Sequence, residues 1–192
     1  MPLDIVILGP PGAGKGTQGQ LIAQELGIPH INTGDMYRAA VAEGTALGEK
    51  VHPYLERGEL VPDELTIDVV RDRLAQPDTA EGFVLDGFPR TLPQAEALDA
   101  ILAEADRALS VILDFQLSED LAEQRLLGRA LEQGREDDTP EVIHRRMETM
   151  RIPYELVEYY RSRGNLVGIH AERSIDEVFA EVQSVLQAAT AR

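Results

Sequence analysis

The sequence contains no cysteine and only two lysines, Lys15 and Lys50, among its 192 residues. The absence of cysteine excludes disulfides, a thiolate nucleophile and a cysteine-ligated zinc site, and the four histidines are scattered and indicate no other metal site. No apolar run approaches the roughly 18 residues that span a bilayer, and Asp4 interrupts the first apolar stretch. We therefore expect a cytoplasmic protein that binds neither zinc nor a membrane.

Positive charge is also scarce, since 18 Lys and Arg residues stand against 34 Asp and Glu and leave a net charge of −16. A surface this acidic excludes a protein that wraps DNA or RNA, because phosphate backbones require a basic face. The hydrophobic fraction of 43% is high enough to form a core. The length fits one compact domain over 1–192, with room for small inserted lobes.

Short apolar runs alternate with longer helical patterns, which is typical of βαβ units on a parallel sheet. Strands are predicted at 3–8, 30–32, 82–86, 108–115 and 165–170. Helices are predicted at 14–26, 34–43, 47–57, 63–75, 91–104, 118–132, 139–163 and 174–189. Pro153 should kink or split the helix at 139–163, because proline removes a backbone donor inside a helix.

The first predicted strand runs directly into the sequence GPPGAGKGT, from Gly9 to Thr17, and a helical pattern follows. Gly9, Gly14 and Lys15 fit a phosphate-binding loop, in which glycines let backbone N–H groups surround phosphate oxygens and the lysine adds a charge. Gly16 stands where the general motif has a metal-binding Ser or Thr. We therefore expect the metal to be held mainly by nucleotide phosphates and water.

Four motifs together resemble the adenylate kinases, a family of nucleoside monophosphate kinases. They are GPPGAGKGTQ at 9–18, NTGDMYR at 32–38, LDGFPRT at 85–91 and GREDD at 134–138, and they extend the resemblance over essentially the whole chain. The resemblance implies a monomeric, doubly wound α/β phosphate-loop fold with a five-stranded parallel sheet. It also implies a lobe for the nucleoside monophosphate at 33–61 and a short lid at 129–138. The implied reaction is reversible, Mg²⁺-dependent phosphoryl transfer from ATP to AMP, which gives two ADP.

The resemblance also assigns residues to each ligand. ATP is assigned to Gly12, Ala13, Gly14, Lys15, Gly16, Thr17, Arg125, Arg129 and Arg173. AMP is assigned to Thr33, Gly34, Arg38, Leu60, Val61, Gly87, Phe88, Arg90 and Gln94. The charges that stabilise the transferring group are assigned to Lys15, Arg90, Arg129, Arg135 and Arg146. Asp86 would orient the water shell of Mg²⁺, and Arg135 would enter the site as the lid closes.

Helical periodicity separates two adjacent arginines in the predicted helix at 139–163. Ile143, Met147 and Met150 lie on one apolar stripe of this helix. At about 100° per residue, Arg146 lies near the edge of that stripe and Arg145 lies nearly opposite. Arg146 is therefore the arginine that should reach an interior cleft.

Three other functions were compatible with parts of the sequence. A UMP/CMP kinase would share the fold, but Thr33 and Gln94 resemble the AMP-specific pattern. A nucleotide-dependent switch of the GTPase type would need a guanine-reading N-K-x-D motif, which the sequence lacks. A kinase for a metabolite other than a nucleotide would not need acceptor motifs of this form.

Overall fold

A computed structural model describes residues 2–133 and 139–190. Within this part, five strands form one parallel sheet in the order β2-β3-β1-β4-β5. The strands are β1 (Leu3–Leu8), β2 (His30–Asn32), β3 (Gly82–Asp86), β4 (Val111–Gln116) and β5 (Leu166–His170). The predicted doubly wound α/β fold is confirmed.

Helices cover both faces of the sheet and form the lobe beyond β2. They are α1 (Lys15–Leu26), α2 (Thr33–Ala42), α3 (Ala46–Arg57), α4 (Asp63–Leu74), α5 (Leu92–Ala103), α6 (Glu119–Gln133), α7 (Pro140–Thr149), α8 (Tyr154–Arg163) and α9 (Ile175–Thr190). The predicted helix at 139–163 is divided into α7 and α8, and Pro153 lies directly before α8, as its missing N–H predicts.

Alternate residues of β1 contribute to two separate cores. Val6 and Leu8 pack on the face that α5 and α8 cover, whereas Ile5 and Ile7 pack on the face that α1 and α9 cover. Successive strand residues point to opposite faces of a sheet, and a sheet that is covered on both faces needs apolar residues on both. This arrangement explains why the run before the glycine-rich loop is almost continuously apolar.

The lobe formed by α2 and α3 has a small core of its own. Tyr37, Val51 and Val61 are buried there, and the Tyr37 hydroxyl donates a hydrogen bond to Thr66 Oγ1 at 2.9 Å. This core is distinct from the two cores of the sheet, and α4 contributes residues both to it and to the core that α5 covers. The predicted boundaries of the lobe at 33–61 remain a prediction.

A buried ion pair holds the start of β4 beside β1. Asp4 is fully buried, its backbone N–H donates to Ser110 Oγ at 3.1 Å, and Arg107 Nε donates to its Oδ2 at 2.9 Å. Arg107 Nη2 donates to the second carboxylate oxygen. Burial raises the pKa of Asp4, and Arg107 opposes that rise. Both groups that contact Asp4 lie in the segment 107–110. The sequence predicted a strand from residue 108, but β4 begins at Val111.

We predict that Arg107→Met destabilises the protein by about 3 kcal/mol, because it leaves the Asp4 carboxylate buried without its cation. Urea unfolding at neutral pH measures this loss. The matched control is Arg71→Met, which removes an arginine from an exposed pair with Glu104 and should cost a small fraction of that amount. Equal losses in the two variants would show that burial does not set the strength of the Asp4–Arg107 pair.

Candidate active site

One cleft of about 830 Å³ opens at the carboxyl ends of the central strands. Ligands of open α/β sheets bind at this edge. The cleft is lined by nearly all residues that the sequence assigned to a site, including Lys15, Thr17, Arg38, Asp86, Arg90, Gln94, Arg125, Arg129, Arg146 and Arg173. Phe88 does not line it, because its side chain is fully buried in the core. Arg135 lies outside the described residues.

The glycine-rich loop connects β1 to α1 and forms one wall of the cleft. Gly14 precedes α1 with φ +82° and no side chain caps the helix, so the first backbone N–H groups of α1 are available to an anion. Gly12 also has φ +82°, and a Cβ there would lie 2.5 Å from the backbone oxygen of Ala122 in α6. The loop can therefore pack this closely against α6 only with glycine at position 12.

Lys15, the first residue of α1, is only 8% exposed, and its Nζ donates to the Pro10 carbonyl oxygen at 2.7 Å. The pKa of Lys15 is lowered to about 7, chiefly by burial and also by the positive charges of Arg90 and Arg129, while Asp86 opposes them. A bound phosphate group would place negative charge beside Lys15 and favour its protonated form. The local electrostatics therefore favour a bound anion.

Asp86 ends β3 and is 2% exposed. Its Oδ2 accepts a hydrogen bond from Asn32 Nδ2 at 2.6 Å and lies 3.7 Å from His30 Nε2. Burial raises the pKa of Asp86, but the contact with His30 and the charges of Lys15 and Arg90 outweigh burial and hold that pKa below its usual value. Asp86 is thus an ionised carboxylate among cations at the floor of the cleft.

Two arginines approach the cleft from the side of β2 and β3. Arg38 in α2 pairs with Asp35 one helical turn earlier. Arg90 Nε donates to the Gly87 carbonyl oxygen at 3.1 Å, whereas its Nη1 is buried with no hydrogen-bond partner in the described part of the chain. A buried N–H that lacks an acceptor is costly, and an anion in the cleft would satisfy it.

The opposite side of the cleft carries three more arginines, Arg125, Arg129 and Arg173. Arg125 donates from Nη1 to the Ala171 carbonyl oxygen at 2.8 Å, and Arg173 pairs with Glu181. Arg129 lies one turn after Arg125 and also lines the cleft, so the predicted shared helical face points inward. The Arg125 contact ties α6 to the loop between β5 and α9, and the Arg173 pair ties that loop to α9.

Arg145 and Arg146 separate as the helical periodicity predicted. Arg146 is 6% exposed and lines the cleft. Arg145 is exposed and lies 3.4 Å from Glu59 across the surface. The two neighbours therefore offer an inward and an outward arginine on the same turn of α7.

Several residues that line or support the cleft were not singled out from the sequence. Gln18 Nε2 donates to the Ile175 carbonyl oxygen at 2.9 Å, and both residues line the cleft. No signal in one sequence joins residues 157 positions apart. Asn32 belongs to the quoted motif NTGDMYR, so its place beside Asp86 could have been found. His30 had no such signal, because the pairing of β2 with β3 determines its neighbour.

The described residues contain no group of three or more His, Asp or Glu side chains that could hold a metal ion. Among the carboxylates that line the cleft, Asp86 is the buried one, and it lies beside the phosphate-binding loop. In the same described ranges, no helix is both long and apolar enough to cross a membrane.

Comparison with known proteins identifies one family. A family model described as adenylate kinase matches residues 7–165. The chain is 50% identical to an adenylate kinase of Mycolicibacterium smegmatis over 183 residues, which are 95% of this chain and 98% of that protein. An adenylate kinase of Thermobifida fusca is 47% identical over 184 residues, with 95% and 97% covered. One from Lysinibacillus sphaericus is 42% identical over 213 aligned positions, with 96% and 98% covered. This last alignment is longer than the chain, so that relative carries residues that this chain lacks.

We predict that Lys15 loses its proton with a midpoint near pH 7 in the ligand-free protein. With ¹³Cε-labelled lysine, NMR resolves this titration simply, because Lys15 and Lys50 are the only lysines and Lys50→Arg assigns the signals. Inorganic triphosphate should raise the midpoint by about one unit or more, since a bound anion favours the charged ammonium. A Lys15 signal that stays protonated beyond pH 9 without ligand would contradict the electrostatic description.

Proposed function

The chain belongs to the adenylate kinase family, and from that premise we propose how its cleft transfers a phosphoryl group between two nucleotides. The protein is a phosphotransferase that catalyses the reversible reaction of ATP and AMP to two ADP. The observation that carries the proposal is the convergence of cations on a single cleft. They are Lys15, Arg38, Arg90, Arg129 and Arg146.

This set of side chains fits the chemistry of the transfer. An oxygen of the AMP phosphate forms a bond to the γ-phosphorus while the bond from that phosphorus to the bridging oxygen breaks, and ADP leaves. Negative charge spreads over the equatorial oxygens, so catalysis depends on positioning and on positive charge rather than on a covalent nucleophile. A phosphate monoester has its second pKa near 6, so the attacking oxygen needs no general base at neutral pH.

The donor side of the cleft is built around the glycine-rich loop. Lys15 and Arg129 hold the β- and γ-phosphates of ATP, and the amides at the start of α1 add partial positive charge. Arg125, fixed by its bond to the Ala171 carbonyl oxygen, packs against the adenine of ATP. Arg173 lies beside the same base.

The acceptor side lies between the α2–α3 lobe and β3. Arg38 and Arg90 hold the AMP phosphate, and the unpaired Arg90 Nη1 supports this role. Thr33 and Gln94 face the adenine, and Leu60 and Val61 pack beside it. Arg146 lies between the two nucleotides and stabilises the transferring phosphoryl group.

Asp86 suits Mg²⁺ because it is buried, ionised and close to the phosphate-binding loop. We assign it to orient water molecules of a Mg²⁺ ion whose other ligands are nucleotide phosphates. When bound, the ion neutralises part of the phosphate charge. Asn32 and His30 keep the carboxylate in place from the β2 side.

Two segments would move to exclude water, so that the phosphoryl group reaches AMP and not a water molecule. They are the lobe at 33–61 and the short lid at 129–138. Residues Arg129–Gln133 belong to α6, and Arg135 lies outside the described part. The cleft is built from one chain, so a monomer is sufficient, and we place the enzyme in the cytoplasm.

The adjacent arginines of α7 test this assignment. Arg146→Ala should lower kcat by about 10²-fold or more, because it removes a charge that acts on the transition state. Arg145→Ala is the matched control on the same turn and should keep kcat within about twofold, since the exposed Arg145 side chain does not line the cleft. The rate of ADP formation from ATP and AMP measures the difference. Circular dichroism checks that both variants are folded. Similar activities in the two variants would contradict the role of Arg146.

A further inference from the structure

Gln94 is 1% exposed. Its side-chain amide is held by two groups, of which one donates a hydrogen bond to it and the other accepts one. The backbone N–H of Arg90 donates to Gln94 Oε1 at 2.7 Å. Gln94 Nε2 donates to Asp63 Oδ1 at 2.7 Å. The second oxygen, Asp63 Oδ2, accepts from the Thr91 hydroxyl at 2.9 Å, and the Thr91 oxygen in turn accepts from the Gln94 backbone N–H at 3.3 Å.

This network fixes which way the Gln94 amide faces. A backbone N–H only donates, and an ionised carboxylate only accepts. If the amide were turned by 180°, its NH₂ would face the N–H of Arg90 and its oxygen would face the Asp63 carboxylate, so both hydrogen bonds would be lost. Thr91 occupies the other carboxylate oxygen, so Asp63 is held in place as well.

Among the described residues, these hydrogen bonds leave one N–H and one acceptor position of the fixed amide for a ligand, and Gln94 lines the cleft. Adenine presents an amino donor next to a ring-nitrogen acceptor, which matches an amide in one orientation. Hypoxanthine and guanine present a carbonyl acceptor next to a ring N–H donor, which requires the opposite orientation. An amide that could turn freely would pair with either kind of base.

We propose that Asp63 is a positioning residue for base selection: it locks the Gln94 amide in the orientation that accepts adenine and rejects 6-oxopurines. The proposal rests on the proposed function, in which Gln94 faces the base of the acceptor nucleotide. Asp63 begins α4 and does not line the cleft itself, so it reaches the site through its hydrogen bond to Gln94.

The test compares AMP with inosine monophosphate, which differs from AMP only at the purine 6-position and the adjacent N1–H. The ratio of kcat/KM for AMP to that for inosine monophosphate should fall at least about tenfold in Asp63→Ala, because only the Arg90 N–H then opposes turning of the amide. Asp63→Asn keeps the shape of the side chain but supplies an N–H donor as well as an acceptor, so residue 63 no longer favours one orientation of Gln94. It should lower the ratio in the same direction.

Two controls separate positioning from a structural effect. Glu64→Gln changes the neighbouring, exposed acid of the same helix turn and should leave the ratio within about twofold of wild type. In a Gln94→Met background, Asp63→Asn should change the ratio no further, because the group that it orients is gone. Equal losses of kcat/KM for both nucleotides in the Asp63 variants, with an unchanged ratio, would overturn the proposal. So would an effect of Asp63→Asn that persists without Gln94.

A readout without substrate distinguishes this proposal from the proposed function. In the ligand-free wild type, NMR should show slow hydrogen exchange for the Gln94 side-chain amide, and Asp63→Ala should accelerate it about tenfold or more. An exchange rate that is unchanged in Asp63→Ala would overturn the proposed role of Asp63, even if the enzyme is active. If the wild type instead made no ADP from ATP and AMP, the proposed function would fail, whatever the exchange rates.

Discussion

Lys15 lies almost fully buried beside Arg90 and Arg129, and Asp86 is the carboxylate that opposes these charges. Mutual repulsion between a buried cation and its half-buried neighbours is unfavourable in a folded protein, since less water screens them. The fold nevertheless holds these cations together. The loop that contains Gly12 and Gly14 and the edge of the sheet fix the backbone positions from which the charged side chains extend. A polyphosphate removes this repulsion. The same arrangement that makes the empty cleft unfavourable therefore makes it selective for phosphorylated ligands.

The net negative charge of the chain reflects the residues outside the nucleotide-binding cleft and not those that line the cleft. Eight basic residues are assigned to the nucleotides, and without them 10 basic residues stand against 34 acidic ones. They are Lys15, Arg38, Arg90, Arg125, Arg129, Arg135, Arg146 and Arg173. Because of this acidic remainder, we expect no nucleic acid as a partner. A positive pocket of this size within a negative shell admits small anions, such as nucleotides bound to Mg²⁺, and discourages large ones.

Much of the fold and of the donor side of the cleft could be predicted from local sequence. The apolar run before Gly9, the glycine spacing and Pro153 each act over a few residues, so the strand, the phosphate-binding loop and the division of α7 from α8 were predictable. The inward position of Arg146 followed from helical geometry alone. The lock on Gln94 did not, because Asp63 lies 31 positions away and only the packing of α4 against α5 brings the two together. His30 and Asp86 likewise meet only because β2 pairs with β3.

The central claim is that this cationic cleft holds two nucleotides and passes a phosphoryl group directly between them. The most direct measurement is ³¹P NMR of a mixture of protein, ATP, AMP and Mg²⁺, because it follows every phosphorus species at once. The account predicts that ATP and AMP fall together, that ADP rises by twice as much, and that inorganic phosphate does not accumulate. A fall of ATP with release of inorganic phosphate and unchanged AMP would contradict it.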